Sequence, residues 1–154
     1  MKRRLLFPAT ACAALVALLA WPLTIRALTQ SMTDWEALVR IKLGAIALVL
    51  SVADAGLVYN PVVGTLESNT YRDIAVKLYK GERYALIGVC DDDCLNLNMR
   101  LYDEDGEFVG ANTRVGTHPD LEIIPRHTQR FTLRMIMKRC AADPCYYGLG
   151  VYGN

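Results

Sequence analysis

The chain has 154 residues, 53% of them hydrophobic and 21% charged, with 17 basic against 16 acidic side chains and a formal net charge of +1. That length suits one small domain with an extension. The balanced charge excludes the strongly basic footprint with which nucleic-acid binders neutralise phosphates.

Lys2, Arg3 and Arg4 precede an uncharged apolar stretch from Leu5 to Ala20, closed by Trp21, Pro22 and Leu23. This is the layout of a secretory signal peptide over residues 1–27. Ala27 suits the last position of a leader, but Ile25 is larger than the small residue preferred two positions earlier. The uncharged run from Leu5 to Ile25 approaches the roughly 20 residues that span a bilayer, so a retained anchor is the alternative, and a membrane is a partner only in that case. Cys12 lies inside the run, which argues against lipoprotein modification. On either reading the remainder is exported, periplasmic or secreted. Loss of residues 1–27 removes four basic residues and no acid, leaving a net charge of about −3.

Residues 28–56 form the expected helical extension. Thr33-Asp34-Trp35-Glu36 fits a capping box, and Gly56 fits a stop. Trp35, Leu38, Val39, Ile46, Val49, Leu50 and Ala53 recur at helical spacing, with Glu36, Arg40, Ala47, Ser51 and Asp54 on the opposite face. Such a face packs on its own domain or on a partner, so a homo-oligomer through helix 34–55 is one outcome.

From residue 57 onward the pattern is that of strands. Ile74, Val76 and Leu78 alternate with Ala75 and Lys77 before the turn Lys80-Gly81-Glu82. An apolar run from Tyr84 to Val89 leads into Cys90. Leu97, Met99 and Leu101 alternate with Asn98, Arg100 and Tyr102, and Asp103-Glu104-Asp105-Gly106 predicts a hairpin turn. Short strands follow at Phe108-Val109 and from Leu121 to Ile124. Phe131, Leu133, Met135 and Met137 alternate with polar neighbours, which makes both methionines core residues. A strand from Tyr146 to Tyr152 closes the domain. The expected fold is mainly β: an antiparallel β-sandwich of seven or eight strands over residues 57–154, preceded by one amphipathic helix.

Cys90, Cys94, Cys140 and Cys145 fall where strands end. Behind an export leader they form a disulfide framework at the tips of the β-domain. Four cysteines allow three pairings: the two local bridges, in which Cys140–Cys145 would clamp a hairpin, or either cross-pairing of the loops. A four-thiolate zinc site suits these spacings and an oxidising compartment less well. A thiol oxidoreductase is disfavoured, because C-x-x-C is absent and the flanking acids raise a thiol pKa.

Several of these segments carry a resemblance. The strand ending in Leu101-Tyr102-Asp103, then Gly106, the segment Pro125-Arg126-His127-Thr128, the strand Phe131-Thr132-Leu133-Arg134-Met135 and the closing Tyr146-Tyr147-Gly148-Leu149 resemble the bacterial pre-peptidase C-terminal domain family. The resemblance spans roughly residues 64–152, and the cysteines suggest a subgroup. It implies a small exported β-sandwich, and as a second reading of function an accessory or regulatory subunit of a separate secreted hydrolase. It also implies a calcium site at Asp91, Asp92 and Asp93, weakened here by Asn96 and Asn98 where the family often has aspartate. The plainer reading of this loop is a solvated acidic turn, with no cofactor.

Catalysis finds little support. Ser31, Ser51 and Ser68 lack a nucleophile-elbow setting, and His118 and His127 sit in separate loop segments without an orienting partner. The sequence therefore points to a non-enzymatic exported module for binding or envelope structure, whose partner is an unknown surface protein or polymer and not nucleic acid. Exposed tyrosines and arginines of the strands would carry recognition, on a face that periodicity alone does not choose.

Overall fold

The computed structural model describes residue 35 and residues 37–49 and 55–153. The expected leader (1–27), Thr33, Asp34 and Glu36 of the capping box, and the helix residues Leu50, Ser51, Ala53 and Asp54 lie outside the described residues. Residues 38–154 form one compact unit. Trp35 and Ala37, both helical, fall outside that unit.

The period-two alternation folds as the sequence predicts, into two antiparallel sheets. Nine strands are described: β1 (Gly56–Leu57), β2 (Val62–Leu66), β3 (Thr70–Leu78), β4 (Tyr84–Cys90), β5 (Cys94–Tyr102), β6 (Phe108–Asn112), β7 (Asp120–Ile123), β8 (Gln129–Cys140) and β9 (Cys145–Gly153). That is more than the seven or eight expected; β1 and β2, which carry no strand pattern noted in the sequence, share one edge of β9. Gly56, expected as a helix stop, opens β1 opposite Gly153. Sheet I runs β1-β9-β4-β7, with β2 also on β9, and sheet II runs β3-β8-β5-β6.

Inward residues of both sheets make the core. Ile74, Val76 and Leu78 of β3, Phe131, Leu133, Met135 and Met137 of β8, and Leu97, Met99 and Leu101 of β5 line the inner face of sheet II and are buried with Tyr147, Leu149 and Val151 of sheet I. Burial at ~25 cal/mol per Å2 of apolar surface is the main favourable term. Both methionines are fully buried, as expected.

Sheet I is covered on its outer side as well. Helix α1 (37–49) lays Val39 and Leu43 over β9, where Gly148 and Gly150 leave a shallow trough: a Cβ at Gly148 would stand 2.5 Å from Val39 Cγ1. This explains why β4 is buried at every position and reads as a continuous apolar run. It also corrects the helical face. Val39, Leu43 and Ala47, an i, i+4 row, are buried, whereas Leu38 and Val49 are exposed. Val39 was expected on the buried side and is there, whereas Ala47, expected on the outer face, is buried and Val49, expected inward, is exposed. Lys42 Nζ then donates to the Cys90 carbonyl at 3.0 Å. No helix among the described residues is long and apolar enough to cross a membrane.

Connections mostly cross between the sheets. The hairpin is β5–β6, where Asp103 Oδ1 accepts from the amides of Asp105 and Glu107 and Gly106 takes φ +82°, as that acidic cluster predicts. Lys80-Gly81-Glu82 is a turn too, but one that carries the chain from sheet II to sheet I. The Pro125–Thr128 segment clasps it: Gly81 N–H donates to the Pro125 carbonyl, and Lys80 N–H to the Thr128 hydroxyl.

Candidate functional site

With α1 over sheet I, the outer face of sheet II is the open one. Alternation puts Tyr71, Asp73, Ala75 and Lys77 of β3, Arg130, Thr132, Arg134 and Lys138 of β8, and Arg100 and Tyr102 of β5 on that face, opposite to the buried set. Register brings them together. Asp73, Arg134 and Arg100 form one row across three strands, Ala75, Thr132, Tyr102 and Phe108 the next, and Lys77 lies beside Arg130.

Arg134 is the fixed centre. Its Nε and one terminal nitrogen donate to the two carboxylate oxygens of Asp73, each at 2.7 Å. The guanidinium lies 4.1 Å from the Tyr71 ring centroid and 5.4 Å from that of Tyr102, whose ring meets Phe108 edge-on at 6.1 Å. Fork geometry and ring stacking hold the arginine in one orientation. The pair also sets the local electrostatics: the hydrogen bond from Arg134 holds the Asp73 carboxyl below its usual range and raises the guanidinium further. Asp73 is thereby spent on Arg134. Arg100, directly beside it, is exposed and has no acidic partner among the described residues, and the same holds for Arg130. Two shallow depressions adjoin at Thr132: one of about 470 Å3 lined by Lys77, Glu104, Gln129, Arg130 and Thr132, and one of about 300 Å3 lined by Tyr102, Gly106, Thr132 and Arg134. The result is a flat, cationic and aromatic surface whose acids are Asp73, held by Arg134, and Glu104 at the rim of the larger depression.

The cysteines take the two local pairings, Cys90–Cys94 and Cys140–Cys145, with Cα separations of 5.9 and 6.0 Å. Neither bridge clamps a hairpin. β4 and β9 belong to sheet I and β5 and β8 to sheet II, so each bridge closes an arch between the sheets. The arches stand side by side, because Cys94 and Cys140 are register partners. Asp91 ties them together: its carboxylate accepts from the Cys94 amide at 3.1 Å within its own arch and from the Tyr146 amide at 2.7 Å in the other. The Asp93 carbonyl accepts from Ala141 N–H at 2.7 Å. Asp92 points outward to Lys42 at 3.3 Å. The three aspartates at which the family resemblance implies calcium thus face different neighbours, and no group of three or more His, Cys, Asp or Glu side chains among the described residues is arranged to hold a metal ion.

The histidines lie at different ends. His118 sits by the Cys90 end of β4, its Nδ1 2.8 Å from the Thr117 hydroxyl, and burial, helped by the charge of Lys42, lowers its pKa. His127 lines a depression with Val109, Ile123 and Phe131 near the opposite end. The Ser68 hydroxyl donates to Asp143 at 2.9 Å and accepts from the Cys140 amide, a structural brace on the second arch.

The Asp73–Arg134 pair and its tyrosine clamp were not foreseen. The partners are 61 residues apart, and only strand register, which periodicity does not supply, brings them together.

No family model matches the chain, and no curated protein matches it. Among solved structures it is similar to PliG of Aeromonas hydrophila, a periplasmic inhibitor of g-type lysozyme, at 11% identity and a TM-score of 0.47, over 61% of this chain and 84% of that one. It is also similar to the pre-peptidase C-terminal domain of a collagenase from Bacillus anthracis, at 10% identity and a TM-score of 0.48, over 59% and 86% of the respective chains.

Proposed function

We propose that this chain is an exported, non-enzymatic β-sandwich that binds an acidic partner on the outer face of sheet II. The observation that carries the reading is the excess of positive charge on one face: Lys77, Arg100, Arg130, Arg134 and Lys138 share one open sheet face with Tyr71, Tyr102 and Phe108, where the acids are Asp73, already held by Arg134, and Glu104 at the rim of a depression. Arginine beside tyrosine is the composition of an interface centre. Bidentate fixing of Arg134 lowers the entropy lost when a partner docks. The disulfide-closed arches support export, since such bridges persist in oxidising compartments. The reading needs no cofactor: Asp91 acts as a brace between arches, and Ser68 and His118 are held by neighbours that do not activate them.

Fluorescence anisotropy with labelled poly-L-glutamate tests it. Wild type should bind with an affinity that falls as salt rises, and Arg100→Glu/Arg130→Glu should weaken binding about tenfold or more, as reversal of interface charges does. Equal affinity of wild type and double variant would overturn the assignment of this face.

A further inference from the structure

Sheet II ends at β3, a nine-residue strand that pairs on one side with β8. Three hydrogen bonds fix which of its backbone groups face outward. Asn69 N–H donates to the Met137 carbonyl, so odd residues of β8 serve β3; Leu97 N–H donates away from β8, to Gly116, so even residues of β8 serve β5. The odd residues of β3 therefore point outward, and Tyr59 confirms it by donating to the Lys77 carbonyl at 2.6 Å. The N–H and C=O groups of Tyr71, Asp73 and Ala75 stand at an exposed edge with no hydrogen-bond partner among the described residues.

Resting on the face assignment above, we infer that the partner is a polypeptide, and that an acidic extended segment of it adds to β3 as a further strand of sheet II. Open main-chain groups select a polypeptide, because strand addition draws its affinity from backbone hydrogen bonds. The edge selects its charge. Arg72 and Lys77 are exposed there, and Asp73 is already held by Arg134. With its carboxylates on the outer face, an added strand of alternating acidic and apolar residues would set them beside Lys77 and its apolar side chains along the aliphatic stem of Arg72. The same charges reject a second copy of this chain: Arg72 is a charged residue at an inward position, beside the buried Tyr147 phenol, a placement that guards an edge against self-pairing.

The test uses the full chain and a nine-residue peptide of alternating Glu and Val. Ala75→Pro removes an outward N–H and places a ring where the new strand would pair, at a position where proline spares the β8 ladder. Wild type should bind the peptide, and Ala75→Pro should weaken it about tenfold or more, the loss expected when main-chain bonds are forfeited. Amide exchange at Tyr71, Asp73 and Ala75 in wild type should slow on binding, a readout that holds whether or not the variant folds. If Arg100→Glu/Arg130→Glu weakens the peptide while Ala75→Pro does not, the face assignment stands and strand addition is overturned. If neither change matters, both fall. Polygalacturonate or single-stranded DNA binding more tightly than the peptide, and indifferent to Ala75→Pro, would overturn the polypeptide assignment.

Discussion

Replacing Asp91 by alanine removes one carboxylate and two hydrogen bonds, to the amides of Cys94 and Tyr146. Bonds to a charged acceptor contribute about 1.5–3 kcal/mol each, less where solvent reaches them, as it does here. Both amides also lose a partner in half-buried surroundings. The expected loss is about 2–4 kcal/mol, or about 10 °C in melting temperature for a domain of this size. Asp91→Asn should lose about half as much, because a single carbonyl oxygen cannot serve both amides. Asp92→Ala, on the exposed neighbour, should leave melting unchanged. Differential scanning calorimetry in EDTA and again in calcium separates the roles of this loop. A brace gives the same loss in both, with a wild-type melting point indifferent to calcium. Calcium protection of wild type that Asp91→Ala abolishes would refute the brace and restore a calcium site at Asp91, Asp92 and Asp93.

Three further outcomes follow from the geometry. Reduction should cost about 2 kcal/mol per bridge, since each closes a short loop, and an unchanged melting temperature in reductant would contradict it. Gly148→Ala should destabilise by about 1–3 kcal/mol, because the new methyl displaces Val39; hydrogen exchange should show α1 loosening before the strands, and uniform behaviour would refute the trough. Because the folded Asp73 carboxyl titrates below its ordinary value of 3.8, its contribution is complete above that pH and is lost as pH falls through the depressed folded value. Both side chains are partly exposed, so the pair is worth at most about 1 kcal/mol. Asp73→Asn should therefore narrow the stability gap between pH 7 and pH 3, and an unaltered acid limb would rule the pair out as a stabiliser.

The strands were legible because alternation is a local property: Phe131-Thr132-Leu133-Arg134-Met135 announces both its buried and its open side. The hairpin at Asp103–Gly106 was legible for the same reason. Tertiary relations were not. Whether Cys140–Cys145 spans a hairpin or an arch depends on which sheet receives β9, and no local pattern encodes that. The helix face was legible in part: Trp35 and Val39 were placed on the buried side, but Leu43 was not picked out, because the Gly150 that receives it lies about a hundred residues away. The proposed binding face was half legible. Tyrosines and arginines were expected to carry recognition, but choosing sheet II required knowing that α1 covers sheet I.

The most direct test of that choice is an amide chemical-shift map of the full chain titrated with poly-L-glutamate. The account predicts shifts concentrated at Tyr71, Lys77, Arg100, Tyr102, Arg130 and Arg134. Shifts confined to the arches around Asp91 and Asp143, or to the loop carrying Arg114 and His118, would contradict it.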